Sequence, residues 1–135
     1  MYIFDSCALI ALLAGESGAE KVMDILQDAV DEKVTVKISH VNLLEVCYHV
    51  FRIYGQEEAR RSLKKLREFP IEIITGMTDE VFDEAVRIKA LYKIPLGDSI
   101  LVAESIVKKG IIVTSDHGDL EKMEKAENIA IFWIR

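Results

Sequence analysis

The sequence is poor in residues that interrupt a chain or cross-link it. With only two prolines, Pro70 and Pro95, and no Gly/Ser-rich tract or internal repeat, there is no place for a linker, so the 135 residues predict one domain spanning 1–135. The two cysteines, Cys7 and Cys47, both lie in apolar stretches and are too few for the disulfide framework of a secreted scaffold. We therefore expect reduced, buried thiols and a cytoplasmic protein.

Long apolar runs and an excess of basic charge are also missing. The apolar run Ala8–Ala14 is far shorter than a bilayer span and no basic leader precedes it, so we expect neither a membrane anchor nor an export signal. Seventeen basic and 23 acidic side chains give a net charge of −6, which means that any contact with nucleic acid must be local. An apolar content of 50% with 30% charged residues excludes a disordered chain.

Apolar patterns of strand and helix type alternate along the chain. Strands are predicted at 2–4, 34–38, 71–74, 111–113 and 129–134. Helices are predicted at 8–13, from a Ser17 cap to about Glu32, and at 41–54, 56–68, 79–91, 98–109 and 119–126. Strands that alternate with helices over the whole length predict an α/β fold, a three-layer α/β/α sandwich with a mainly parallel central sheet.

Acidic residues occur at the places where such a sheet collects functional groups. Asp5 follows Tyr-Ile-Phe and Asp116 follows Ile-Ile-Val-Thr-Ser, so parallel strands would bring both to the edge formed by the carboxyl ends of the strands, called here the carboxyl edge. Asp98 opens a predicted helix after a Pro-Leu-Gly turn. Glu45 interrupts an apolar run in its helix and lies on a polar stripe with Asn42, His49 and Arg52.

Taken singly, most of these acids also have a structural explanation. Asp98 could be a helix cap, Asp116 an Asx turn and Glu45 part of a solvated face. Asp5 lies between apolar segments, where a carboxylate is at least partly buried and requires a partner. If the four acids converge, a divalent cation offsets their charge, and oxygen ligands without clustered Cys or His favour Mg²⁺ or Mn²⁺. The chemistry this suggests is hydrolysis of a phosphate ester by metal-bound water.

In this arrangement the whole chain resembles the PIN-domain nucleases, most closely the small VapC-like toxins of toxin-antitoxin pairs. The resemblance rests on Asp-Ser-Cys-Ala-Leu-Ile-Ala-Leu-Leu beginning at Asp5 and on Glu45 in the helix after the second strand. It continues with Ile-Pro-Leu-Gly-Asp-Ser-Ile-Leu-Val-Ala around Asp98 and Val-Thr-Ser-Asp ending at Asp116. It implies a PIN-like sandwich and a Mg²⁺- or Mn²⁺-dependent endoribonuclease that cleaves RNA. It also implies a homodimer and a small antitoxin partner that covers the acidic cleft, often with an arginine.

The resemblance further implies roles for single residues. Asp5, Glu45, Asp98 and Asp116 would be catalytic, with Asp5, Asp98 and Asp116 as metal ligands and Thr114, Asp119 and Ser6 in support. A regular backbone, however, predicts that the Ser6 side chain points away from Asp5. Cys7 stands where the family usually has Ser, Thr or Asn, and a thiol is a weak hydrogen-bond partner.

One segment of this acidic chain is basic. Between Arg52 and Arg67, six basic residues against two glutamates leave a local charge of +4, with −10 in the remainder. The charges could simply be the solvated face of an amphipathic helix, or they could contact RNA phosphates, in which case Arg52, Arg60, Arg61 and Lys64 are the candidates. His49 is expected to be a structural partner and His117 a surface residue, so neither is assigned a catalytic role.

Two other functions remain open at this point. The first is a PIN-like module that binds RNA or protein without catalysis. The second is a Mg²⁺-dependent phosphoacceptor signalling domain, although Asp5 has no acidic neighbour and no lysine follows the last predicted strand. A haloacid-dehalogenase-like phosphatase would need an aspartate where Cys7 stands.

Overall fold

Five strands and seven helices follow one another in the computed structural model, which describes all of residues 1–135. They are β1 (Tyr2–Phe4), α1 (Ser6–Ala14), α2 (Ala19–Val30), β2 (Val36–Ser39), α3 (His40–Tyr54), α4 (Gln56–Leu66), β3 (Ile71–Ile74), α5 (Asp79–Leu91), α6 (Leu96–Lys108), β4 (Ile111–Thr114), α7 (Asp119–Ala126) and β5 (Ala130–Trp133). None of the seven helices combines the length and the apolar character that a bilayer crossing requires.

The strands form one sheet in the order β3-β2-β1-β4-β5, and every pair in it is parallel. The predicted α/β/α sandwich with a parallel sheet is therefore confirmed. From β1 the chain continues to β2 and β3 on one side, then crosses over to β4 on the other side. The boundary between β1 and β4 is thus the topological switch point, beyond whose carboxyl ends open α/β sheets bind their ligands.

Alternate residues of the central strands are buried in separate cores on the two faces of the sheet. Phe4 is fully buried with residues of α1 to α4, whereas Ile3 is fully buried with residues of α5 to α7. On β4, Val113 and Ile112 pair in register with Phe4 and Ile3 and repeat this alternation. Burial on both faces explains the continuous apolar character of these strands and holds their carboxyl ends in fixed positions.

The start of α2 differs from the prediction. The cap is Gly18 rather than Ser17, and its φ of +94° lies in the left-handed region that favours glycine. A Cβ added to Gly18 would lie 2.7 Å from the main-chain oxygen of Ile134, so no other residue fits this close approach. The expectation that Ser17 caps the helix was wrong because this contact, between distant parts of the chain, sets the boundary.

The first turns of α1 and α6 also differ from the prediction. Helix α1 begins at Ser6, two residues earlier than expected, because Asp5 acts as its cap and accepts a hydrogen bond from the Ser6 amide. Helix α6 begins at Leu96 after Pro95, so Asp98 is its third residue and neither opens nor caps it. The capping explanation of Asp98 is therefore excluded, and its side chain is available for another role.

Candidate active site

Asp5 is a buried carboxyl group at the carboxyl end of β1, only 3% exposed. Its Oδ1 accepts hydrogen bonds from the Ser6 amide at 2.7 Å and from Nδ2 of Asn42 at 3.2 Å. Its Oδ2 accepts one from Oγ1 of Thr114 at 2.7 Å. Burial raises the pKa of Asp5, and the Thr114 hydrogen bond opposes this shift by stabilising the charged form. The carboxyl group is thus fixed by polar contacts from three segments of the chain.

Ser6 and Cys7 both contact Asp5. The Ser6 hydroxyl donates to Oδ1 of Asp5 at 3.3 Å, so the expectation that it points away was wrong: Ser6 lies in the helix that Asp5 caps, not in an extension of the strand. Cys7 is half-buried, and burial, followed by the charge of Asp5, raises the pKa of its thiol to about 12. Cys7 is therefore protonated at neutral pH. Both cysteines are free, and both are partly rather than fully buried.

Asn42 links Asp5 to Glu45, a role that the sequence did not reveal beyond its place on the polar stripe. Its side chain is fully buried, and its Nδ2 donates to Asp5 and, at 3.4 Å, to Oε2 of Glu45. Ser39, the cap of α3, orients this amide by donating to Oδ1 of Asn42 at 2.7 Å while accepting from its main-chain N–H at 3.0 Å. A serine three residues before an asparagine at the start of an apolar helix was the available signal.

Glu45 lies against the first turn of α6, next to Asp98. A Cβ added to Gly97 would lie 2.6 Å from Oε1 of Glu45, so the glycine leaves the space that the carboxylate occupies. The pKa of Asp98 is raised to about 7, with burial as the largest cause, followed by the negative charges of Asp5, Asp116, Glu45 and Asp119. These five residues, here called the acid group, therefore interact electrostatically at the carboxyl edge.

Thr114, the last residue of β4, connects Asp5 to Asp116 within the acid group. While its hydroxyl donates to Asp5, its Oγ1 accepts a hydrogen bond from the main-chain N–H of Asp116 at 3.0 Å. Oδ1 of Asp116 accepts from the Gly118 amide at 3.0 Å, so the Asx-type turn weighed in the sequence is present. The Asp116 carboxylate therefore has a structural contact and also acts on Asp98 through its charge.

The five residues of the acid group lie at the same edge of the sheet, but they are not close enough together to form a complete set of metal ligands. No three Asp, Glu, His or Cys side chains lie close enough to hold one metal ion, so the convergence considered for Asp5, Glu45, Asp98 and Asp116 stops short of such a group. No lysine or arginine forms an ion pair with any of the five. The donor set of oxygens with uncompensated charge fits Mg²⁺ or Mn²⁺.

The basic residues lie away from the acid group. Arg52, Arg60, Arg61 and Lys64 are exposed on the end of α3 and on α4; Arg52 stacks over the ring of Tyr48 at 4.9 Å, and Arg61 pairs with Glu58. A groove of about 640 Å³ separates α1 from α3 and α4; its lining includes apolar residues as well as His49, Arg61 and Lys65, and none of the acid group. The polar stripe therefore divides, with Asn42 and Glu45 facing the acids and His49 facing the groove.

The model of the PIN domain family matches residues 2–126. The chain belongs to the PIN domain family. This membership agrees with the resemblance seen in the sequence and removes the support for a phosphoacceptor signalling domain.

Solved structures similar to this PIN domain come from toxin-antitoxin systems. VapBC2 of Rickettsia felis, bound to a DNA fragment from its promoter, matches with a TM-score of 0.75 and 16% identity over 97% of this chain and 96% of that one. DNA-bound VapBC of Salmonella typhimurium matches with a TM-score of 0.76 and 12% identity over 99% of this chain and 98% of that one. VapC20 of Mycobacterium tuberculosis is described as a toxin cleaving the sarcin-ricin loop. It matches with a TM-score of 0.69 and 13% identity over 90% of this chain and 95% of that one. These likenesses show the fold, and no curated protein sequence matches the chain.

Proposed function

We propose that this PIN domain protein is a Mg²⁺- or Mn²⁺-dependent endoribonuclease that hydrolyses RNA phosphodiester bonds in the cytoplasm, as the toxin of a toxin-antitoxin pair. The observation that carries the proposal is the acid group at the switch point, where a buried Asp5 and four neighbouring acids have no cationic side chain to offset them. Family membership and the similarity to a toxin described as cleaving the sarcin-ricin loop support the same reaction.

The residues of the site divide into ligands and supports. Asp5, Asp98 and Asp116 would hold the ion, Glu45 completes the catalytic acids, and Asp119 adds charge. When bound, the ion would supply an activated water and offset negative charge on the phosphate. Thr114 and Asn42 hold the two oxygens of Asp5 in fixed directions. Because the pKa of Asp98 lies near 7, ion binding is expected to release a proton from its carboxyl group.

The exposed basic residues supply the proposed contacts to RNA phosphates. Arg60 and Lys64 are one helical turn apart on α4, and neither forms an ion pair within the chain. Arg52 and Arg61 extend this surface. Cations that are free of internal partners can neutralise phosphates without first breaking an ion pair, which favours a role in RNA binding.

A small antitoxin is the proposed protein partner. Two of the similar structures are VapBC complexes, and a guanidinium from a partner could offset the acid group as a metal ion does.

A homodimer is also proposed: Val41, Leu44, Tyr48 and Phe51 form an apolar stripe along α3 and are 36–62% exposed. A continuous stripe of this kind is typical of a surface that a partner covers.

Cleavage of a generic RNA, followed on a gel, tests the proposal. The wild type is expected to cleave with Mg²⁺ or Mn²⁺ and to stop when EDTA is added. Asp5→Asn and Asp98→Asn are each expected to lose at least about 100-fold in rate, because each removes a charged ligand. Asp24→Asn, the same change at an exposed position of α2, serves as the control. Full activity in both site variants would exclude the proposed reaction.

A non-catalytic PIN-like module that binds RNA or protein is the second candidate. Two observations favour it: no three ligands converge in the structure, and Cys7 replaces the usual hydroxyl or amide beside Asp5. This function predicts that the protein retards RNA in a native gel, with or without EDTA, and that no shorter fragments appear at any concentration of Mn²⁺.

A further inference from the structure

The turn that carries Asp116 is held in part by contacts of residues outside the acid group. His117, the next residue, stacks flat on Trp133, with 4.1 Å between ring centroids and 12° between ring planes. Nε2 of His117 lies 2.7 Å from the main-chain oxygen of Arg135, and because an oxygen of this kind can only accept, Nε2 carries the hydrogen. The His117 side chain is 52% exposed, so burial alone does not fix it in this position.

Residues 133–135 are themselves tied to the connection between α1 and α2. Both Nη atoms of Arg135 lie 3.2 Å from Oε2 of Glu16, and Nη1 donates to the main-chain oxygen of Ser17 at 3.0 Å. The Ile134 amide donates to the main-chain oxygen of Thr114 at 3.0 Å. Residues 133–135, which contact His117, are therefore held by the connection between α1 and α2 and by the end of β4.

From this geometry we propose that His117 and Trp133 are positioning residues, which hold the Asp116 carboxylate at the carboxyl edge where a divalent cation binds. The inference rests on the proposed function of the acid group. Thr114 fixes the Asp116 amide from one side, and the stacked His117 ring fixes the following residue from the other. A ligand held in place before the ion arrives loses less conformational freedom on binding, which raises metal affinity.

Mn²⁺ affinity, measured from the electron paramagnetic resonance signal of the free ion, tests this role without relying on activity. His117→Ala is expected to raise the Kd about tenfold, the effect of removing a group that orients a ligand. His117→Tyr keeps an aromatic ring for the stack and is expected to restore most of the affinity. His40→Ala, at an exposed histidine whose side chain forms no ion pair, is the matched control.

A second readout follows the turn itself in the absence of metal. The Gly118 amide donates to Asp116, and the Asp116 amide donates to Thr114. Hydrogen exchange at these two amides is expected to be faster in His117→Ala than in the wild type and to slow again in His117→Tyr. Trp133→Phe, which keeps a ring on β5, is expected to behave as His117→Tyr does.

The outcomes separate this inference from the proposed function. If the wild type binds Mn²⁺ and His117→Ala binds it equally well, the positioning role is overturned while the metal site stands. If the wild type binds no Mn²⁺ at millimolar concentration, the proposed function fails and the positioning role fails with it. A weaker affinity in His117→Ala that His117→Tyr does not restore would also overturn a role based on stacking.

Discussion

Asp98 has a raised pKa, which is caused mainly by burial and then by the negative charges of the other four members of the acid group. Its pKa is raised from 3.8 to about 7, so between these two values the folded state binds more protons than the unfolded state. The stability of the ion-free protein is therefore expected to fall as the pH rises through this window. Part of this shift comes from repulsion within the acid group, which a divalent cation would relieve.

Asp98→Asn removes that repulsion while keeping the shape of the side chain. In EDTA at pH 8 the variant is expected to be more stable than the wild type by about 1–2 kcal/mol, a value reduced from the full linkage energy because Asp98 is partly exposed. At pH 4 the difference should vanish. Chemical denaturation at both pH values measures it, with Asp24→Asn as the control. A constant difference across the range would contradict the electrostatic explanation.

Gly97 is predicted to matter because of the space it leaves for Glu45. In Gly97→Ala the new Cβ would lie 2.6 Å from Oε1 of Glu45, and the flexible carboxylate is expected to move away. The free energy of unfolding should change by less than about 1 kcal/mol, since Ala suits a helix better than Gly. Mn²⁺ affinity and RNA cleavage are expected to fall about tenfold.

Gly76→Ala is the matched control, because a Cβ at Gly76 meets nothing within 4 Å. Unchanged Mn²⁺ affinity and cleavage in Gly97→Ala would show that the position of the Glu45 carboxylate does not affect the site.

Among the helices, α5 is joined to the end of α7 by one group of charged residues. Arg87 donates to both oxygens of Glu127, at 3.1 and 2.7 Å, and also pairs with Glu84, while Tyr92 donates to Glu127 at 2.6 Å. The Arg87 hydrogen bond is the main reason that the pKa of Glu127 is lowered. A lowered pKa contributes stability that is present above the ordinary value of 4.5 and is lost as the pH falls through the lowered one.

Arg87→Met is expected to destabilise the protein by about 1 kcal/mol at pH 7, a modest value because the Arg87 side chain is 40% exposed. The loss should shrink as the pH falls through the lowered pKa of Glu127 and its carboxylate becomes protonated. Thermal unfolding across this range measures the effect, and Lys93→Met, at an exposed lysine without an ion pair, is the control. An equal loss at both ends of the range would show that packing rather than charge is responsible.

The order of the elements could be predicted from the sequence because apolar periodicity reports on burial directly. Asp5 and Asp116 could be placed at the same edge because each follows the end of a buried strand and parallel strands align their ends. The contacts that Asn42 and Gly97 make with other segments of the chain could not be predicted. Each depends on where one helix begins relative to another, which local patterns do not specify.

The same limit applies to contacts between distant segments. Gly18 meets Ile134, and Arg87 meets Glu127 from 40 residues away, and neither pair shares a local motif. The choice of Gly18 over Ser17 as the cap of α2 shows how a tertiary contact overrides the better local signal.

Across the whole molecule, charge is unevenly distributed: the segment 52–67 carries +4 in a chain of net charge −6. Association with RNA is therefore expected to depend on this segment and to weaken steeply with salt. The double variant Arg60→Glu/Lys64→Glu should weaken RNA binding at least about tenfold at low salt. The slope of log K against log salt concentration should become shallower by the amount expected for the loss of about two phosphate contacts.

Fluorescence anisotropy with labelled RNA, over a series of salt concentrations, measures this binding. Lys93→Glu, a charge reversal at an exposed position outside the segment, is the control and should change binding little. If both variants weaken binding equally, the RNA does not use α4 and the basic residues are only a solvated helix face.

The acid group is proposed to bind a divalent cation at the boundary between β1 and β4. An anomalous difference map from crystals grown in Mn²⁺ tests it most directly. The map is predicted to show one strong peak with oxygens of Asp5 and Asp98 at about 2.0–2.3 Å, and with Asp116 drawn toward it. Ordered Asp5, Asp98 and Asp116 side chains without a peak between them at millimolar Mn²⁺ would contradict the claim.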